Sequence, residues 1–150
     1  MTKLSHIDLN VSNYAASIRF YDMILIPLGW KRLVCRTEFT TFSDGTMKIC
    51  LSPTDEKYVS RGFHRKNTGL NHLAFYASSR EEVDQFHQDV LVKNNITCLY
   101  EKSPSGDDDY YAVYFEDPDR IKIEVVFAPR YCHEDDWTNG FESDFDPYDK

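Results

Sequence analysis

Hydrophobic and polar residues alternate along Leu4–Val11. Ile7, Leu9 and Val11 share one face and His6, Asp8 and Asn10 the other, the pattern of a strand with one buried side. The period then becomes helical, with Ile18, Tyr21, Ile24 and Leu25 on one side. Ser12 or Asn13 is placed to cap this helix and Gly29 to end it. Strands are predicted at Trp30–Arg36, Glu38–Phe42 and Thr46–Ser52, with Asp44-Gly45 as a hairpin turn. Pro53–Thr68 reads as a polar loop. A strand follows at Leu70–Ala77, then a helix opened by Ser79 with Glu81 and Glu82 in its first turn and Val83, Phe86, Val90 and Leu91 on its apolar face. Three last strands are predicted at Ile96–Glu101, Tyr110–Phe115 and Arg120–Phe127, the final two joined through Asp117-Pro118-Asp119.

The order of elements is βαβββ, loop, βαβββ, and the residues repeat with it. At an offset of 66, Leu4 meets Leu70, His6 meets His72, Ser12 meets Ser78, Phe20 meets Phe86 and Leu25 meets Leu91. Lys48-Ile49-Cys50-Leu51 lies opposite Lys122-Ile123-Glu124-Val125. Identities at matching points of one element order indicate a duplicated unit. The chain is therefore predicted to be an α+β domain over residues 3–128, built from modules 3–52 and 70–128 with a linker at 53–69.

Composition narrows the function. The 150 residues are 41% hydrophobic and 15% aromatic, enough for a packed core. No apolar run has the length of a membrane span, and MTKLSHIDLN has no hydrophobic leader segment. The net charge of −8 argues against broad attraction to nucleic acid. Cys35, Cys50, Cys98 and Cys132 form no C-x-x-C pair, which fits free thiols in a reducing cytoplasm. Residues 129–150 form an acidic tail that also holds Tyr131, Trp137, Phe141, Phe145 and Tyr148. It reads either as a solvated terminus or as an arm packing over the domain or a partner subunit.

Alternation also shows which side chains share a space. With the apolar faces under the two helices, the opposite faces line a concave polar surface carrying His6, Cys50, His72 and Glu124, each near the middle of its strand. Two imidazoles and a carboxylate on one face, His6, His72 and Glu124, can hold a divalent metal ion and leave positions open for substrate or water. Tyr76, Tyr114 and Lys122 are candidates for orientation or proton transfer, Tyr114 only if Tyr110, Ala112 and Tyr114 point inward. No residue is assigned as catalytic. Asp8 and Asn10 face either substrate or solvent.

The repeat, a His near the start of each module, Phe20-Tyr21 with Leu28-Gly29-Trp30, and the run from Asp117 to Val125 together resemble the vicinal oxygen chelate superfamily. This superfamily includes glyoxalase I, bleomycin-resistance proteins, fosfomycin-modifying thiol transferases and extradiol dioxygenases. The resemblance covers Lys3 to about Pro129. It implies a cup-shaped mixed sheet, metal ligands at His6, His72 and Glu124, a divalent ion (Zn, Ni, Mn or Fe), a small-molecule substrate and a homodimer. His6 then serves either its own chain's site or its partner's. Cys50 stands where glyoxalase I is expected to carry a carboxylate, which implies weak or absent glyoxalase I activity. The implied function is that of a metal-dependent lyase, thiol transferase or dioxygenase. The alternatives are a module that sequesters a cationic drug, suited by the acidic Asp107–Asp109 run, and a regulatory or structural relic of the fold.

Overall fold

A computed structural model describes residues 3–131. The acidic tail expected from residue 129 lies outside the described residues from 132 onward.

The first module runs β1 (His6–Val11), α1 (Tyr14–Leu25), β2 (Lys31–Cys35), β3 (Thr40–Ser43) and β4 (Lys48–Pro53). A short helix, α2 (Glu56–Val59), interrupts the predicted loop, its N-terminus capped by the Asp55 carboxylate accepting from Lys57 N–H. The second module runs β5 (His72–Tyr76), α3 (Arg80–Phe86), a π-helical turn (His87–Val92), β6 (Ser105–Gly106), β7 (Tyr111–Glu116) and β8 (Lys122–Phe127). Its four strands pair in the order β5-β8-β7-β6, matching β1-β4-β3-β2 in the first module. In both sheets the first strand pairs parallel with the last and the remaining pairs are antiparallel. The two modules thus form two four-stranded mixed sheets.

The repeat extends to the helix caps. Asn13 and Ser79 cap α1 and α3, their side chains accepting from Ala16 and Glu82 N–H. Both helices end in the same double hydrogen bond. Gly29 N–H bonds Ile26 C=O and Trp30 N–H bonds Leu25 C=O; 66 residues on, Asn95 bonds Val92 and Ile96 bonds Leu91. The closing residue must adopt a left-handed backbone, and Gly29 (φ 83°) and Asn95 (φ 56°) are residue types that tolerate it.

One core serves both modules. Phe20 of α1 packs against Phe115 of β7, and Trp30 meets Phe75 edge-on at 5.6 Å. The buried Tyr21 hydroxyl donates to Asp117 Oδ2 at 3.0 Å, and Ser12 N–H bonds Asp119 Oδ2. Burial pushes the Asp117 carboxyl up to about 6, although hydrogen bonds from Ile121 N–H, Tyr21 and Asp119 N–H pull it down. The turn after β7 therefore ties the second module to α1 of the first.

The strand predicted at Ile96–Glu101 is not formed. Cys98 makes only an isolated bridge to Phe115, and Leu99 N–H reaches Tyr114 C=O. Ile96 and Cys98 instead pack against the core, and the edge pairing on β7 passes to Ser105–Gly106. Gly106 is required there, because a Cβ would collide with the Tyr110 carbonyl oxygen.

Candidate functional site

The two predicted histidines begin β1 and β5 and are oriented alike. His6 Nδ1 lies 3.1 Å from Ser5 Oγ, and His72 Nδ1 lies 2.8 Å from Asn71 Oδ1. Ser5 and Asn71 are themselves 66 apart. An amide oxygen only accepts, so His72 Nδ1 is placed to donate to Asn71, which fixes the ring and turns Nε2 toward Glu124. Nε2 of His72 points to Glu124 Oε2 at 3.2 Å; Nε2 of His6 points toward Asp8 Oδ2 at 4.0 Å.

Glu124, expected on a concave polar surface, is fully buried. Two tyrosines of the second sheet wall it in. Tyr110 and Tyr114 pack with Ala112, Val126 and Ala128 into a small second core on the face opposite the main one. The inward register of Tyr110, Ala112 and Tyr114 is thereby realised: Tyr114 stands directly opposite Glu124, and the Tyr110 hydroxyl donates to Glu124 Oε1 at 2.6 Å. Burial, then the neighbouring Glu124 carboxylate, pushes the Tyr114 phenol up to about 12, and the same two causes raise Tyr110. Glu124 Oε2 is buried with no hydrogen-bond donor among the described residues. A carboxylate oxygen left in that state is costly unless a cation meets it, so the donor set suits a metal ion.

His72 and Glu124 are thus brought together. His6 does not join them within one chain, and among the described residues no three His, Cys, Asp or Glu side chains stand as a metal-holding group. His6 belongs instead to a concavity of about 440 Å³ on the first sheet, lined also by Asp8, Thr41, Lys48 and Cys50. Burial and then a hydrogen bond to Asp8 push the Cys50 thiol up to about 11, so at neutral pH it carries its proton.

Residues 3–125 match the model of the Glyoxalase/Bleomycin resistance protein/Dioxygenase superfamily. The chain belongs to this superfamily. The protein is similar to YqjT of Bacillus subtilis, an uncharacterized protein, at 36% identity over 82% of this chain and 97% of that one. A solved structure of a candidate glyoxalase from Bacillus halodurans is 40% identical, covers 84% of this chain and 95% of its own, and superposes with a TM-score of 0.78. The fosfomycin resistance protein FosX of Listeria monocytogenes shares the fold at 22% identity, with a TM-score of 0.64 over 87% of this chain and 96% of its own.

Two further residues of this superfamily member shape the site without a signal in the sequence pattern. Tyr110 lies just before β7 rather than in it, and the reach of its hydroxyl to Glu124 is invisible to periodicity. Asp8 stands opposite Cys50 in the β1–β4 pair and helps to raise its thiol. The Asp107–Asp109 run is engaged in local bonds. Asp107 accepts the Asp109 and Tyr110 N–H groups, Asp108 pairs with Arg80 and Asp109 with Arg130. Among the described residues, no helix is long and apolar enough to cross a membrane.

Proposed function

We propose that this superfamily member is a metal-dependent enzyme, a lyase, thiol transferase or dioxygenase, acting on a small oxygen-chelating substrate in the cytoplasm. We further propose that it works as a homodimer in which His6 of one copy completes the His72–Glu124 pair of a second. The observation that carries this reading is Glu124: a wholly buried carboxylate with Oε1 tied to Tyr110 and Oε2 left without a donor beside His72 Nε2. His6, exposed at the head of the other module and oriented in the same way, is the missing third donor.

When bound, a divalent ion (Zn, Ni, Mn or Fe) supplies Lewis-acid polarisation of the substrate's oxygens. Asn71 and Ser5 orient the imidazoles, Tyr110 fixes the carboxylate, and the rings of Tyr110 and Tyr114 exclude water from its inner side. Cys50 holds a proton at neutral pH and cannot serve as a carboxylate base, which argues against glyoxalase I chemistry. A concavity of about 490 Å³ lined by residues of both modules, His72 and the exposed Leu4 and Tyr76 among them, is a surface on which a second copy can seat.

Metal analysis of untagged protein, followed by turnover assays with each of the four ions, tests the reading. The assays would cover a hemithioacetal, catechols under oxygen, and an epoxide antibiotic with thiol. About one ion per chain and turnover of one substrate class are expected. A metal-free protein that binds a cationic drug tightly would replace this reading with sequestration.

A further inference from the structure

We propose that the substrate of this site is an anion, a small carboxylate or phosphonate, and that Lys122 reads its charge. The proposal rests on the metal reading above for the chelating half of the ligand only.

Lys122 lies two residues before Glu124 on the same face of β8 and beside His72 in the parallel register. Its opposite neighbour on β7 is Glu116, the counter-ion that register would assign to it. Glu116 is already held by Arg65 from the linker and by Arg120 Nε at 3.3 Å. The Lys122 ammonium turns to the tyrosines instead. It sits 4.2 Å from the centroid of the Tyr114 ring and 5.6 Å from that of Tyr100, with the Tyr100 hydroxyl at 3.4 Å. These two rings meet edge to face at 5.2 Å and form a fixed corner for the cation. Among the described residues no carboxylate forms an ion pair with Lys122.

A half-buried ammonium pinned on aromatic faces, with its counter-ion taken by arginines, is a charge held ready for a ligand. On the same face Glu124 Oε2 is buried without a donor. One atom asks for a cation and the other for an anion, and an oxyanion chelated to a divalent ion meets both. The net charge of −8 opposes an anion at long range, so the recognition is local to this corner. The equivalent lysine of the first module differs: Lys48 shares its concavity with the carboxylates Asp8 and Glu38.

The test is calorimetric binding of phosphonoacetate, malonate and the neutral chelator 2,2′-bipyridine to Mn²⁺-loaded and metal-free protein. Removing a charged hydrogen-bond donor should weaken both anions by about tenfold or more in Lys122→Met and leave 2,2′-bipyridine within about twofold. Lys122→Arg should restore most of the anion affinity. Lys93→Met, which removes a surface charge paired with Asp89, should change nothing. Equal anion binding by wild type and Lys122→Met, with the metal loaded, would overturn the proposal and leave the metal reading intact. Lys122-dependent anion binding by a protein that takes up no divalent ion would do the reverse.

Discussion

Position for position, the two modules put different chemistry on one scaffold. His6 and His72 open equivalent strands, but Cys50 stands where the second module has Glu124, Thr41 where it has Tyr114, and Asp8 where it has Ala74. The first face is open, with the His6 and Asp8 side chains 54% and 64% exposed. The second is closed over Glu124 by tyrosines. The turns before β4 and β8 show the same divergence. Asp44 and Asp117 each accept two backbone N–H groups, from Thr46 and Met47 and from Asp119 and Ile121. Asp44 is exposed, and the bond from Met47 N–H holds its carboxyl below the usual range; Asp117 is buried, and its carboxyl is pushed up. Duplication copies the backbone, while burial decides what each copied group can do. One face ends with a carboxylate–imidazole pair and the other with an exposed imidazole near Asp8.

Removing His72 breaks the comparison most sharply. Loss of supporting hydrogen bonds around a ligand costs about 10–100-fold in metal affinity, so loss of the ligand itself should cost on the order of a thousandfold in His72→Ala. Competition against a chromogenic chelator reads this directly, and unchanged affinity would exclude His72 as a ligand.

Asp117 sharpens the contrast between the turns. Its folded carboxyl lies above the usual 3.8, at about 6, so the protonated form is favoured in the folded state. Its contribution to stability is full below about pH 4 and is lost as pH rises through about 6. The shift corresponds to roughly 3 kcal/mol at about 1.4 kcal/mol per unit. Asp117→Asn keeps an acceptor for the two N–H groups and should flatten urea-denaturation stability between pH 4 and 6 while raising it at pH 7. A slope identical to wild type would contradict the assignment.

Tyr110 tests the closed face. Tyr110→Phe frees Glu124 Oε1 and should lower metal affinity by about tenfold, with the metal-free protein folding normally. Unchanged affinity would show that the 2.6 Å bond does not position the ligand. The smallest effect is expected at Cys50. Cys50→Ala should leave metal affinity within about twofold, because a protonated thiol is a poor ligand; a large loss would make Cys50 a fourth donor.

Much of the fold was legible because each element carried a local signal. Asn13 and Ser79 marked helix starts, alternation marked β1, β5 and β8, and the offset of 66 tied the halves together. The strand at Ile96–Glu101 misled because alternation reports burial, and Ile96 and Cys98 found burial without a ladder. The helix at Glu56–Val59 is a single capped turn, too short for a periodic signal. At the site, strand faces located His72 and Glu124. They did not show that Glu124 is sealed, because the seal comes from tyrosine rings of a neighbouring strand. Nor did they separate His6 from the pair, since alternation fixes a side chain's face but not which sheet faces which.

The claim that His6 of one copy completes the site of another is tested most directly by the metal content of co-expressed His6→Ala and His72→Ala chains. A mixed dimer then holds one intact site, made from His6 of the second variant and from His72 and Glu124 of the first. Random pairing should restore about a quarter of the wild-type metal content, while each variant alone stays near zero. Co-expressed chains that bind no more metal than either variant alone would contradict the shared site.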